Sequence, residues 1–206
     1  MTVLFCFSAG LVVIQPGASS PQLPSTDPIC KALNVVTNSL VLHSRVHFMK
    51  HNMPINYTIR VHYEEILKLK NVSRLRRNVE GLEEVDLQDT WLRVNLGILR
   101  KIKGALPTRH PSYNYTSNLE GLFVNVVQIF TYPEGREPPE RIQRIWEALG
   151  SPLGKRWTVA SPKSLLDNCY HTMHCVFSSC FPSSDYCQRA HWRGEKKAQN
   201  LEVPKN

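Results

Sequence analysis

The cysteines restrict the fold of this chain more than any other feature, because they gather near its two ends. Cys30 stands near the start, and the next four are Cys169, Cys175, Cys180 and Cys187. A disulfide across so long a loop restricts the unfolded chain strongly, by about 4–5 kcal/mol in the chain-entropy model. Such a bridge is typical of exported proteins. The pattern therefore predicts an exported domain whose first element is clamped to its last.

The N-terminal stretch predicts a signal peptide. An apolar run from Val3 to Ile14 is too short to span a bilayer comfortably, and small residues suited to cleavage follow it at 16–19. A buried first strand is the alternative interpretation. We expect a signal peptide at 1–19, a folded domain at 20–187 and a flexible basic tail at 188–206. Cys6 leaves with the signal, so one of the five remaining cysteines stays unpaired or pairs between chains.

The charge balance points to anionic partners. Lys and Arg number 25 against 17 Asp and Glu, which gives a formal net charge of +8 in 206 residues. Outside the cell such a surface favours sulfated glycans, and export argues against nucleic acid. Ordinary solvation of the charges is the alternative. The densest run lies between 68 and 77 and contains no acid; its cations are Lys68, Lys70, Arg74, Arg76 and Arg77.

Three Asn-X-Ser/Thr sequons are consistent with export. They begin at Asn56, Asn71 and Asn114. Each is an acceptor for N-linked sugar only where it is exposed in the secretory pathway. We treat all three as predicted glycosylation sites.

Apolar residues recur at helical spacing in four long segments, which predicts four main helices. Helix A begins at Pro28, after the N-cap Asp27, and ends near His51. Helix B covers roughly 83–103. Helix C opens at the capping-box pair Ser117 and Glu120 and ends before 132. Helix D begins with Ser161-Pro162 and carries its apolar stripe as far as Cys180.

Two strands and a short helix are predicted in the connections. The strands lie near 57–63, between helices A and B, and near 156–159, between helices C and D; the short helix covers 139–149. Connections of this length suit an up-up-down-down bundle. The sequence therefore predicts an all-α, short-chain four-helix bundle with a two-stranded β ribbon formed between the long crossover loops.

The predicted topology favours one disulfide pairing. Helices A and D run antiparallel in this order, which places Cys30 beside Cys180. We expect the bridges Cys30–Cys180 and Cys175–Cys187, with Cys169 left as a buried free thiol. Five cysteines allow many pairings, so other connectivities stay open at this point.

Two groups of residues could in principle bind metal. His43, His47 and His51 share one face of helix A, where a solvated surface is the simpler interpretation. The second group combines cysteines with histidines and consists of Cys169, His171, His174 and Cys175. In an oxidising compartment, disulfide formation competes with a metal for its sulfurs. We expect neither a metal nor a cofactor.

No motif for catalysis is present. The sequence contains no His-Glu-X-X-His, no Gly-X-Ser-X-Gly and no glycine-rich phosphate loop. We therefore expect no enzyme. A small secreted hydrolase that uses the histidines is the alternative in the enzyme class.

Two blocks of sequence resemble the interleukin-34 family. The first lies within 44–77 and the second opens helix D, while His110-Pro111-Ser112 and Asn125-Val126 with Gln128 are weaker matches. The matching motifs in the two blocks are Met49-Lys50-His51, Pro54-Ile55-Asn56-Tyr57, Asn71-Val72-Ser73-Arg74-Leu75 and Pro162-Lys163-Ser164-Leu165-Leu166-Asp167-Asn168-Cys169.

The resemblance implies a secreted helical cytokine that forms a non-covalent homodimer. It implies binding and pairing of the macrophage colony-stimulating factor receptor, a tyrosine kinase, and hence survival, proliferation and differentiation of monocytes and macrophages. It further implies sugar on Asn71, proteoglycan partners for the basic run, and receptor contacts at Asn125 and Gln128. The alternative is a secreted matrix module that binds only glycosaminoglycans.

Overall fold

The computed structural model describes residues 27–151, 156–182, 184, 186 and 187. Helices dominate these residues, and two short strands pair with each other. The elements are α1 Pro28–Ser39, α2 Leu42–Val46, a π-helical turn His47–His51, β1 Ile59–His62, a 3₁₀ turn Tyr63–Glu65, α3 Leu69–Asn78, α4 Glu84–Gly104, α5 Tyr113–Ile129, α6 Glu140–Gly150, β2 Trp157–Ala160 and α7 Pro162–Val176. The predicted signal peptide and the whole of the predicted tail lie outside the described residues. Within these residues, no helix is long and apolar enough to cross a membrane.

Contacts at one end of the bundle establish the direction of its helices. At this end, Ile29 of α1, Gln88 of α4 and Ile129 of α5 line a single cleft. The Gln88 side chain there donates to the carbonyl of Val176, the last residue of α7, at 2.9 Å. The starts of α1 and α4 therefore lie beside the ends of α5 and α7. This arrangement is the predicted up-up-down-down bundle.

Helix A is broken, whereas the sequence predicted one continuous helix. α1 ends at Ser39, α2 begins at Leu42, and a π-helical turn completes the segment. The buried Arg45 side chain donates to the carbonyl of Leu40 and to Asp167 Oδ1 of α7, the latter at 2.8 Å. The guanidinium thus satisfies a carbonyl that the break leaves free, and it fastens the break to the last helix.

Three further boundaries differ from the sequence prediction. The basic run lies on a helix, α3, rather than on an irregular connector, because Leu69, Val72 and Leu75 give it a face that packs on the core. α5 begins four residues before the predicted capping box, at Tyr113. α7 ends at Val176, and a turn carries Cys180.

The two strands form the predicted antiparallel ribbon. β1 pairs with β2 in a register that sets Arg60 opposite Val159 and His62 opposite Trp157. These four residues share the outer face, because side chains alternate along a strand. Ile59 and Val61 point to the other face and are buried. The ribbon therefore covers the core between the two crossover connections.

Trp91 of α4 occupies the centre of the core. Its ring is fully buried and packs on Phe123 and Phe177, with ring centres 5.1 and 5.4 Å away. The indole nitrogen donates to Thr172 Oγ1 at 3.1 Å and to the carbonyl of Cys169 at 3.2 Å. A buried indole N–H needs such a partner. Trp91 consequently holds α4, α5 and α7 together.

Candidate interaction surfaces

Two disulfides close the end of the bundle where α7 stops. Cys30 bonds to Cys180, and Cys175 bonds to Cys187, each pair with Cα atoms 5.0 Å apart. The structure therefore contains the pairing favoured from the topology. Cys169 is the free thiol among the described residues, and burial raises its pKa. A raised pKa keeps that thiol protonated and unreactive.

Neither predicted metal alternative is assembled in the described part of the chain. Cys175 is held in its disulfide, and the described residues contain no group of three potential metal ligands close enough to bind an ion. The rings of His43 and His47 are stacked 6.1 Å apart on an exposed face, and His51 is also exposed. The helix-A histidines thus occupy a solvated surface.

Asn125 and Gln128 lie together on the outer face of α5. Both are exposed, and their i, i+3 spacing puts them on one stripe of the helix, opposite the buried Phe123 and Val126. Ile129, one turn beyond Asn125, adds exposed apolar surface to this stripe at 42% accessibility. An exposed stripe that combines amides with apolar side chains provides both hydrogen bonds and contact area for a protein partner.

This stripe ends at a cleft between three helices. The cleft has a volume of about 320 Å³. It is lined by the start of α1, the start of α4 and the end of α5, with Asp27, Pro28, Ile29, Val85, Gln88, Ile129, Phe130 and Thr131. Sequence analysis missed it, because its walls come from three segments that are distant in the chain.

Four of the five predicted glycan-binding cations are exposed, and the fifth is partly buried and paired with a carboxylate. Lys68 precedes α3, and Lys70, Arg74 and Arg77 lie on its outer side. Arg76 instead faces the protein. Its Nε donates to Glu84 Oε1 at 2.8 Å and its Nη2 donates to Glu84 Oε2 at 2.6 Å and to the carbonyl of Cys175 at 3.2 Å. The run therefore offers four cations to a ligand.

The three sequons differ in their surroundings. Asn56 is exposed in a tight turn with φ of 63°, a left-handed conformation that asparagine tolerates. Asn114 is exposed in the first turn of α5. Asn71 of α3 is half-buried, and its Oδ1 has no hydrogen-bond partner among the described residues. Asn56 and Asn114 thus present the more open side chains for sugar attachment.

A polar groove lies beside Asn56, which sequence analysis did not anticipate. It has a volume of about 490 Å³ and runs between the turn, the ribbon and the start of α7. Amides, hydroxyls and one ammonium group line it, together with Tyr57, Ile66, Val159 and Ala160; the polar members are Asn56, Thr58, Lys68, Ser161, Ser164 and Asn168. The groove extends from Lys68, just before α3, to the ribbon.

The outer face of the ribbon carries an aromatic ring between cations. Trp157 lies on His62, with ring centres 3.9 Å apart, and Arg60 and Lys101 stand 5.1 and 5.0 Å from its ring. Cation–π attraction favours this arrangement. The sequence indicates two strands, but only the register between them shows which of their residues share this face.

One comparison with known proteins decides the family of this chain. A sequence model described as Interleukin 34 matches residues 24–185. The chain belongs to the interleukin 34 family. Its helical bundle with a small ribbon is consistent with a helical cytokine.

Interleukin 34 is a cytokine family, and membership suggests that this chain binds a receptor. The matched range includes α3 with its basic run, the α5 stripe and all of α7. It ends two residues before Cys187.

Proposed function

We propose that this chain is a secreted ligand of the macrophage colony-stimulating factor receptor. It acts as a non-covalent homodimer that brings two receptor chains together and so promotes the survival, proliferation and differentiation of monocytes and macrophages. Membership of the interleukin 34 family is the observation that carries the proposal. Export follows from the cytokine class, and the two disulfides suit an extracellular protein.

The mechanism is geometric. A two-fold dimer repeats each surface once on each subunit. One receptor docks on each copy, and the two kinase domains are thereby held together. The rigidity of the bundle matters, because a clamped and close-packed ligand loses little conformational entropy on binding.

The α5 stripe is the proposed receptor contact. Asn125 and Gln128 supply exposed amides, and the neighbouring Ile129 supplies apolar area. Exposed apolar residues that are grouped with polar ones are typical of protein contact sites. Proposed glycosylation at Asn114 places sugar on the same helix, 11 positions before Asn125 and so about 16 Å away along the axis.

The direct test is receptor phosphorylation on cells that carry the macrophage colony-stimulating factor receptor and on matched cells that lack it. The glycosylated protein should induce phosphorylation only in the first. The double variant Asn125→Ala with Gln128→Ala should lose about tenfold in potency if each amide is a modest contact. Glu147→Ala, on the exposed side of α6, is the control and should keep full potency. A folded dimer that gives no phosphorylation refutes the proposal.

We infer a second class of partner, sulfated proteoglycans, from the basic side of α3. Lys68, Lys70, Arg74 and Arg77 are exposed, and none of them has a carboxylate partner among the described residues. Unpaired cations attract sulfate groups, and added salt screens that attraction. A matrix module that binds only glycans would rest on the same residues.

Elution from heparin separates the two partners. Arg74→Ala with Arg77→Ala should elute at lower salt and still activate the receptor. Arg141→Ala with Arg144→Ala on α6 removes the same charge elsewhere and should elute close to the parent protein. A parent protein that binds heparin but does not activate the receptor would favour the matrix module over the cytokine.

A further inference from the structure

The Cys175–Cys187 disulfide has an arginine directed at its sulfurs. Arg76 Nη1 lies 3.2 Å from the sulfur of Cys175 and 3.0 Å from the sulfur of Cys187. The same guanidinium donates from Nη2 to the carbonyl of Cys175. Neutral disulfide sulfurs are weak acceptors, so they make little use of a full positive charge. A thiolate, in contrast, is strongly stabilised by a neighbouring arginine.

Glu84 fixes the position of this guanidinium. Its two carboxylate oxygens accept from Nε and Nη2 of Arg76, which leaves Nη1 directed at the sulfurs. A two-point contact of this kind restricts the planar guanidinium to one orientation. Glu84 therefore acts as a positioning residue, and its negative charge also offsets part of the charge on Arg76.

Accessibility distinguishes the two sulfur-bearing residues. Cys175 is 1% exposed, whereas Cys187 is half-buried. An external thiolate can therefore approach Cys187 more readily than Cys175. The sulfur that leaves is then that of Cys175, which lies within reach of Arg76. Exchange is faster when the leaving thiol has a lower pKa, and a nearby cation lowers it.

The other bridge lacks this arrangement. Cys30–Cys180 joins residues 150 positions apart and has no arginine on its sulfurs among the described residues, whereas Cys175–Cys187 closes a separation of 12. Opening the shorter bridge leaves the clamp between α1 and the end of α7 intact. The molecule thus has one bridge that holds the bundle and one that can open without releasing it.

We propose that Cys175–Cys187 is a thiol-exchange site whose leaving thiolate is stabilised by Arg76. A thiolate of a low-molecular-weight thiol attacks the sulfur of Cys187 and forms a mixed disulfide with it. The bond between the two protein sulfurs breaks, and its electron pair remains on Cys175 as a thiolate beside Arg76. A second external thiolate then attacks the mixed disulfide at the sulfur that came from the first external thiol. This step releases a small-molecule disulfide and leaves Cys187 reduced. Two external thiols are oxidised for each bridge reduced.

The test follows reduction of the intact glycosylated protein by glutathione, with alkylation and peptide mass spectrometry to quantify each cysteine over time. In the parent protein, Cys175 and Cys187 should become alkylated well before Cys30 and Cys180. Arg76→Gln should slow reduction of the first pair about threefold or more, because the leaving thiolate loses its cation. Arg141→Gln, on the exposed side of α6, removes the same charge away from the sulfurs and should leave the rate unchanged.

A second variant, for which we expect faster reduction, is compared with Arg76→Gln, for which we expect slower reduction. The comparison distinguishes the charge effect from a general loosening of the structure around the disulfide. Glu84→Gln keeps an acceptor for Arg76 but removes the offsetting negative charge, so it should accelerate reduction of Cys175–Cys187. If Arg76 served only to hold the segment in place, both variants would accelerate reduction. That result, or equal rates in Arg76→Gln and the parent, would overturn the proposal.

Discussion

Asp86 is a fully buried carboxylate at the start of α4, and four hydrogen bonds satisfy it. The Tyr132 hydroxyl donates at 2.5 Å, Arg136 donates from Nε and Nη2 at 3.1 and 2.5 Å, and the Glu83 backbone N–H donates at 2.9 Å. Burial acts to raise the pKa of Asp86, but the hydrogen bonds from Arg136 and Tyr132 outweigh it and lower that pKa. The carboxylate therefore joins α4 to the segment that follows α5.

Asp86→Asn should lower the free energy of unfolding at neutral pH by about 3 kcal/mol, because it leaves Arg136 without its buried partner. The lowered pKa of Asp86 means that its stabilisation is present above the unfolded value of 3.8 and is lost as pH falls through the folded value. Urea unfolding at pH 7 and at pH 3 should therefore show a smaller difference in the variant than in the parent. An unchanged difference would contradict this role for Asp86.

His174 is buried on α7 without hydrogen-bond partners for its ring nitrogens among the described residues. Its ring packs on Phe181 and Tyr170, with ring centres 4.2 and 4.6 Å away. Burial, and secondarily the neighbouring His171, lowers the pKa of His174 to about 4. Tyr186 also faces the ring, at 5.3 Å between centres. His174 is therefore neutral in the folded protein where an unfolded histidine would bind a proton.

Between about pH 6.5 and pH 4 the unfolded state consequently binds one more proton than the folded state, so the folded protein loses stability as the pH is lowered through that window. His174→Phe should remove this dependence and raise the free energy of unfolding at pH 5 by up to about 2 kcal/mol relative to its effect at pH 7. Urea titrations at both pH values provide the measurement. Parallel pH profiles for the parent and the variant would show that His174 does not contribute.

At the scale of the elements, the start of a helix was predicted correctly where an apolar stripe follows a clear N-cap residue. α7 begins where Ser161-Pro162 predicted, and the Ser161 hydroxyl accepts from the Ser164 N–H at 3.2 Å. The ribbon also formed near its predicted strands. These features depend on local chemistry, so the sequence alone could identify them.

The break in helix A depends instead on a tertiary contact. Arg45 and Asp167 are 122 positions apart, and no local pattern announces that they meet. The same reasoning applies to the contacts that Arg76 makes with Glu84 and Cys175, which no local pattern indicates. The spacing of the apolar residues in α3, in contrast, does indicate a helix. The prediction missed this helix because the run is so basic.

Arg45→Ala should destabilise the break in helix A. It removes an ion pair at a side chain that is 4% exposed, and it leaves the Leu40 carbonyl without its guanidinium donor. Asp167 keeps its ion pair with Lys163, so the cost comes from the lost hydrogen bonds of the buried guanidinium and is about 2 kcal/mol. Urea unfolding would measure the loss. Arg144→Ala, which breaks an exposed i, i+4 pair with Glu140, is the control and should change stability by less than about 0.5 kcal/mol.

At the scale of the whole molecule, the bundle is clamped at one end and covered by the ribbon between the crossovers. Cys30–Cys180 connects the start of α1 to the turn after α7. Serine at both positions should cost about 5 kcal/mol in the chain-entropy model, which is comparable with the total stability of many domains. The double variant should therefore unfold at far lower urea, or fail to accumulate. Stability equal to the parent would contradict the clamp.

The topology could be predicted because long crossover connections and terminal cysteines both require antiparallel first and last helices. The interaction surfaces could be predicted only in part. Asn125 and Gln128 were named from a family resemblance, and their shared exposure on α5 became visible only in the structure. The cleft at the end of that stripe and the groove beside Asn56 each combine distant segments, so no stretch of sequence contains them.

The central claim is that one ligand dimer holds two receptor chains, and the mass of the complex tests it most directly. Light scattering on the glycosylated protein, mixed with an excess of the soluble ectodomain of the macrophage colony-stimulating factor receptor, should give one species containing two ligand and two receptor chains. A complex of one ligand chain with one receptor chain, or no complex at all, would contradict the account.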